Sequence, residues 1–287
     1  MRIQLDWFGD RLAQRLADIE AGRIVPATPR DAATVMVLRP AGAASVEVLM
    51  LRRTAAMKFA PGAYVFPGGS VDQADFGAEI GWHGPAPAEF GARLGASAEM
   101  ARALVCAAVR ETFEESGVLL AGSPDGPLAP ISGPSWESGR AALAAGNLTL
   151  AELLSRRGLV LRADLLVPWA RWITPEGEPR RFDARFFVAA LPAGQLATGH
   201  EAESDHVAWL RPEDAIEAAR AGEIALLPPT AAMLSDFAAA AAAAVADGGG
   251  LAGILASRPA IEPVMPRLLL DDGRAWLDIP DGVGYPL

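Results

Sequence analysis

Apolar positions recur along this chain in two rhythms. A spacing of three to four residues marks helices, and short alternating or continuous apolar runs mark strands. Residues 5–19 read as an amphipathic helix, with a proline-containing link to Arg30. Residues 33–38 and 46–52 read as strands joined by the turn-like Arg39-Pro40-Ala41-Gly42. Residues 59–69 are punctuated by glycine and proline and read as a loop, and 71–97 are rich in Gly, Pro and Ala. Residues 98–116 contain neither Pro nor Gly and predict a helix stopped by Gly117. A Pro/Gly-rich loop is expected at 122–135, then short helices at 138–145 and 150–157. Strands are expected at 165–173, 182–190 and 206–210, and a helix at 212–221. Pro228-Pro229-Thr230 opens an Ala-rich helix to about residue 246, which Gly248-Gly249-Gly250 breaks. The tail carries strand-like pieces at 267–270 and 275–279. Strands before and after a central helix, then a further helix, predict an α/β fold with a mixed sheet covered on both faces. The expected division is an N-terminal helix and linker (1–29), a main domain (30–217) and a C-terminal accessory extension packed on it (218–287).

The helix at 98–116 departs from its own pattern at its end. Cys106, Val109 and Phe113 form an apolar face, while Glu111, Glu114 and Glu115 sit at i, i+3 and i+4 within one arc of about 100°. Like charges at that spacing repel by about 0.2–0.5 kcal/mol per pair. They also lie at the negative pole of the helix, where each anion is disfavoured by about 0.3–1 kcal/mol. A cationic group should offset this cost, and a hard divalent cation on the carboxylate oxygens would do so. A solvated acidic patch is the plain alternative.

Composition narrows the function. At 287 residues, half of them hydrophobic, the chain is long enough for one large or two small domains with a sizeable core. A net charge of −10 argues against a nucleic-acid coat or a binder of anionic membranes. Phosphate groups would therefore be held by local basic side chains and metal. Cys106, the single cysteine, allows no disulfide within the chain and reads as a buried helix residue. No apolar run reaches transmembrane length. The first twenty residues are too charged for a secretory signal, and Tyr285-Pro286-Leu287 is not a peroxisomal address, so a cytoplasmic protein is expected.

Arg110-Glu111-Thr112-Phe113-Glu114-Glu115-Ser116-Gly117-Val118 resembles the second half of the Nudix box, G-x5-E-x7-R-E-U-x-E-E-x-G-U, where U is bulky and aliphatic; Thr112 stands at the first U. Phe66-Pro67-Gly68-Gly69 resembles the family's F-P-G-G entry, with Gly69 as the box glycine. The pattern expects 14 positions from that glycine to the arginine. Here Gly69 to Arg110 is 41, which leaves 27 extra residues. Counted back from Arg110, the first box glutamate falls on Arg102, and Glu99 is the nearest acidic stand-in. Split boxes occur in a Nudix subgroup that includes a peroxisomal coenzyme A diphosphatase. Lys58-x3-Gly62-x3-Phe66-Pro67-Gly68-Gly69 resembles the coenzyme A pyrophosphatase signature with Lys in place of Arg, and Leu51-Arg52-Arg53-Thr54 matches its upstream part less well.

The resemblance implies an α/β/α sandwich with an insertion at about 70–97 and a helical C-terminal extension. It implies Mg²⁺ or Mn²⁺ held by Glu111, Glu114 and Glu115 with the Gly69 backbone, and Arg110 orienting a neighbouring carboxylate. The general base is Glu111, or Glu201 or Glu203 on a later loop. Candidate substrate contacts are Lys58, Arg52, Arg53, Gly68 and one of Arg180 and Arg181, since adjacent strand residues face opposite ways. Trp169 and Trp172 either stack on a base or pack in the core. The implied activity is hydrolysis of a nucleoside diphosphate derivative, such as coenzyme A or an acyl-CoA, to 3′,5′-ADP and a phosphopantetheine product. Two alternatives stay open: a diphosphatase for ADP-ribose, a dinucleotide or a nucleotide sugar, and a Nudix-fold module that binds its ligand without turnover. The partner is a small molecule; a homodimer is a further alternative.

Overall fold

The computed structural model describes residues 1–4, 10–42, 45–57, 60–77, 79–126, 128–200, 204–246, 249–256, 260–271, 274–280 and 283–287, with the backbone alone at 4, 10, 11, 245 and 246. Strand β1 (Arg2–Gln4) and helix α1 (Asp10–Glu20) lead into β2 (Arg30–Pro40) and β3 (Val46–Arg53). The stretch expected as a loop holds two three-residue strands, β4 (Ala63–Val65) and β5 (Gly68–Ser70). The stretch expected as an insertion carries α2 (Gln73–Phe76), β6 (Trp82–His83) and α3 (Pro87–Leu94). Then come α4 (Ala98–Ser116), β7 (Ala121–Gly122), α5 (Pro134–Ala144), α6 (Leu150–Arg156), β8 (Val160–Arg162), β9 (Val167–Ile173), β10 (Phe182–Ala190) and β11 (Ser204–Leu210). The chain continues through α7 (Pro212–Arg220), β12 (Ala225–Leu226), α8 (Pro228–Ala246), α9 (Gly250–Ala256), β13 (Pro263–Val264), β14 (Arg267–Asp271) and β15 (Arg274–Asp278).

The main sheet runs β12-β4-β3-β2-β10-β9-β13, with β11 also on β3 and β5 also on β2. It is mixed: β2 and β10 run parallel from Arg30↔Phe182 to Leu38↔Ala190, while β3 runs antiparallel to β2, and β9 antiparallel to β10 but parallel to β13. Alternation along each strand feeds two cores. Val35, Val37, Leu49, Leu51, Phe187 and Ala189 pack with α4 through Leu104, Val105 and Phe113. Met36, Leu38, Val48, Met50, Phe186 and Val188 pack with α8 through Met233, Leu234 and Phe237. The result is the α/β/α sandwich expected, with α4 and α8 on opposite faces. Trp169 and Trp172 are buried in the α8-side core, which accounts for both by packing.

The two ends of the chain share a layer. Strand β15 lies between β1 and β14, and Leu12 and Leu16 of α1 pack against Ala275, Leu277 and Ile279 beneath it. Among the described residues no helix is long and apolar enough to cross a membrane.

Candidate active site

Helix α4 is defined at both ends by its own sequence. The Ser97 hydroxyl accepts from the Met100 N–H, and Gly117 closes the helix with φ of 70° as its N–H donates to Phe113 O. Both conditions fix the rotation of the last turn and thus where Arg110, Glu111, Glu114 and Glu115 emerge. Strand β5 lies alongside: Gly68, Gly69 and Ser70 pair with Thr34, Ala33 and Ala32 of β2.

The halves separated by the insertion meet there. The Gly68 N–H donates to Glu115 Oε2 at 2.9 Å. A side chain at Gly69 would collide with the Glu111 carboxylate, and one at Gly68 would lie 2.5 Å from Ala33 O, so both glycines are required by close approach. Of the residues singled out from the sequence, the fold brings together Gly68, Gly69, Arg110, Glu111, Glu114 and Glu115.

Arg110 is the hub. Nη1 donates to Glu111 Oε1 at 2.8 Å and lies 3.5 Å from Glu114 Oε1. Nη2 donates to Ser70 O at 2.9 Å, and Nε and Nη2 together grip Asp75 at 3.1 and 2.9 Å. Asp75, only 3 % exposed, also accepts the Asp72 N–H in the capping box that starts α2. Burial works against the Arg110 charge, but Asp75, Glu111 and Glu114 outweigh it and hold the guanidinium above its ordinary pKa. Burial, and then the Glu111 charge, push the Glu114 carboxyl up to about 7.

Asp75 was not among the sequence candidates, and the signal for it was present. Counting back from Arg110 reaches Arg102; counting forward from Gly69, the x5 spacing lands on Asp75. The insertion therefore lies after that carboxylate. Arg102 instead donates to Ile80 O and lies over the Trp82 ring, and Glu99 sits in the first turn of α4, far from Arg110. A second unforeseen residue is Arg140 of α5, 4 % exposed, whose Nε donates to Glu114 O at 2.8 Å.

The remaining candidates are scattered. Arg52 shares its sheet face with Val48 and Met50, the α8 side, and its Nε donates to Asp205 at 2.6 Å. By the same alternation Arg53 falls on the α4 side with Leu49 and Leu51. Arg181, 7 % exposed, donates to Thr174 O, Ala27 O and Met265 Sδ. Lys58, Glu201 and Glu203 lie outside the described residues. The described residues beside the two glutamates are anchored: the Thr198 N–H donates to Ser116 O, and Ser204 pairs with Arg53. Burial pushes the Cys106 thiol up to about 12, which fits an inert helix residue rather than a nucleophile.

Among the described residues no three His, Cys, Asp or Glu side chains converge as a cage for a metal ion. The reason is visible in the hydrogen bonds: Arg110 draws Glu111 and Glu114, and the Gly68 N–H draws Glu115. The donor chemistry nevertheless fits a hard divalent cation. Three carboxylates lie within one and a half turns, and Glu114 is held partly protonated by burial and the Glu111 charge, a condition that a cation would relieve.

Residues 86–236, more than half of the chain, match the family described as the NUDT19 Nudix domain. The chain belongs to the Nudix hydrolase family. A Nudix hydrolase from Alicyclobacillus acidocaldarius superposes with a TM-score of 0.61 at 31 % identity, covering 82 % of this chain and 98 % of that one. A putative nudix hydrolase 7 from Caenorhabditis elegans is 34 % identical over 63 % of this chain and 52 % of its own length. An acyl-coenzyme A diphosphatase NUDT19 from Gallus gallus is 32 % identical over 66 % of this chain and 60 % of its own. The chain thus spans about half to three-fifths of the length of these curated relatives. The two segments that resemble the Nudix box, Gly68 to Gly69 and Arg110 to Val118, are brought into contact by the fold, and Asp75 joins them through Arg110.

Proposed function

We propose that the protein is a metal-dependent diphosphatase that hydrolyses the phosphoric anhydride of a nucleoside diphosphate derivative, with coenzyme A or an acyl-CoA as the favoured substrate. The observation that carries this reading is the contact between the halves of the box, with Glu115 on the Gly68 N–H and Glu111 packed against Gly69. Glu111, Glu114 and Glu115, with the Gly69 backbone, would hold Mg²⁺ or Mn²⁺. That ion supplies charge neutralisation of the diphosphate and a lower pKa for the attacking water.

The protein's own groups do the rest. Asp75 fixes Arg110, and Arg110 sets the rotamers of Glu111 and Glu114 before substrate arrives. Glu111 is the proposed base that takes a proton from water; Glu203, with Glu201, is the alternative base on the segment between Thr198 and Ser204. Arg53, on the α4 face with the carboxylates, is a stronger candidate for a substrate phosphate than Arg52 on the other face. The binding-only alternative drew its support from an empty position in the box; Asp75 at that position favours turnover. Coenzyme A is favoured over ADP-ribose by the Lys58-to-Gly69 signature and by similarity to a NUDT19 acyl-coenzyme A diphosphatase.

The test is product analysis with Mg²⁺ or Mn²⁺ and a panel of coenzyme A, acyl-CoAs, ADP-ribose, NADH and nucleotide sugars. The expected outcome is metal-dependent release of 3′,5′-ADP from coenzyme A esters, lowered by about 10²–10³-fold in Glu115→Gln. Full activity in that variant would sink the metal-site assignment. A clear preference for ADP-ribose removes the coenzyme A reading, and binding without turnover across the panel leaves a sensor.

A further inference from the structure

We propose that Arg140 is a positioning residue that holds the last turn of α4, and with it Glu115, in register with Gly68–Gly69 of β5; this builds on the diphosphatase reading of the same site. Arg140 lies on α5, outside the box. A helix leaves its last carbonyls without partners inside itself. In α4 three of these are taken up: Phe113 O by the Gly117 N–H, Ser116 O by the Thr198 N–H, and Glu114 O by Arg140 Nε at 2.8 Å. The same guanidinium donates to Thr198 Oγ1 at 2.8 Å and to Thr198 O at 3.0 Å. One planar fork therefore joins α5, the end of α4 and the segment leading into β11.

Its setting is unusual for a structural arginine. The acidic group in ion-pair range is Glu137 at 3.8 Å, whose side chain is largely exposed. The direct acceptors are neutral oxygens. Burial pulls the Arg140 pKa down, and the charges of Glu137 and Glu115 pull it back. Glu137 and Glu115 thus offset part of the cost of burying this cation, and the negative pole of α4 adds to them. Gly117 makes the approach feasible, since a side chain there would lie 2.9 Å from Thr198 Oγ1 and 3.2 Å from Arg140 Nη1. Glu115 is the residue that follows the carbonyl Arg140 holds. If the last turn frays, Glu115 leaves the Gly68 N–H and the two halves of the box lose their direct hydrogen bond. A fork with fixed geometry specifies that rotation, which a lysine does not.

The experiment uses the full chain with Arg140→Met and Arg140→Lys, and Arg157→Met as a control, since Arg157 stacks on Trp136 of the same helix away from the carboxylates. Two quantities are measured well below the unfolding transition: kcat and KM for coenzyme A with Mg²⁺, and NMR hydrogen exchange at the Gly68 amide. Arg140→Met should lower kcat about 10- to 100-fold with KM within about threefold, and Arg140→Lys should recover part of it. Gly68 exchange should quicken at least about tenfold while amides of β10 keep their protection. Unchanged Gly68 protection in the folded variant, or an equal loss of kcat in Arg157→Met, overturns the proposal. If Arg140→Met does not fold, Thr198→Val, which removes one acceptor of the fork, should quicken Gly68 exchange by a smaller factor; no change overturns it equally. If the wild-type protein turns over nothing in the panel, the diphosphatase reading fails, and Gly68 exchange still decides the role of Arg140.

Discussion

Helices α4 and α8 are the same length, 19 residues, and both are rich in alanine, yet they finish differently. They cover opposite faces of one sheet and bury comparable apolar side chains, Leu104, Val105 and Phe113 on one and Met233, Leu234 and Phe237 on the other. Helix α8 needs only one charged residue, Asp236, to do so. Helix α4 places an arginine and three glutamates in its last two turns, against its own dipole. Covering the sheet therefore does not require those charges. Their cost is offset by two arginines, the part-buried Arg110 among the side chains and the buried Arg140 at the backbone end, which supports the site proposed on the α4 face.

The largest effect expected on this contrast is from Asp75→Ala. It leaves the buried Arg110 without its bidentate partner, and unfolding by denaturant should show a loss of about 3–5 kcal/mol. Turnover should fall with it, because Glu111 and Glu114 lose their oriented neighbour. On the other face, Phe237→Ala should cost about 3–5 kcal/mol through the cavity it opens, with kcat per folded molecule at low temperature retained. An equal collapse of kcat in both variants would erase the distinction between the faces. The smallest effect concerns Glu114, whose carboxyl has its folded-state pKa raised from 4.5 to about 7. A raised pKa contributes stability that is complete below the unfolded value and lost as pH climbs through the folded one. In chelator-treated protein, stability should thus decline between about pH 4.5 and pH 7. Glu114→Gln should flatten that decline and stabilise the metal-free protein at pH 8 by up to about 1–3 kcal/mol, seen as a higher melting temperature at pH 8 and none at pH 5.

Much of the fold was legible because its long elements have strong local patterns. Helices α4 and α8 and strand β10 fall on the residues where periodicity, Gly117, Pro228 and the apolar run at 182–190 placed them. The paired glycines and the clustered glutamates gave the box. Four features escaped for physical reasons. Strands β4 and β5 are three residues each and rich in small residues, so their pairing with β3 and β2 comes from tertiary contact rather than propensity. Asp75 was hidden because the spacing was counted from one end of a split pattern. Arg140 is a lone arginine in a short helix, and no motif announces a residue that acts on a backbone carbonyl. The choice between Arg52 and Arg53 depends on which face of β3 looks toward α4, which alternation alone leaves open until the sheet is assembled.

The separation of the two box halves bears on how the molecule folds. Stretching the span from 14 to 41 positions adds only about 1 kcal/mol of loop-closure entropy, because that cost grows with the logarithm of length. It changes the order of events more than the final balance. A nascent β2–β5 pair can present Gly68 and Gly69 without the α4 carboxylates nearby, and an early α4 can present its glutamates to water. Neither fragment is a site. The hydrogen bond from Gly68 to Glu115 joins residues 47 positions apart, so its closure is a non-local event, and the recovery of Gly68 amide protection in a refolding experiment would time it.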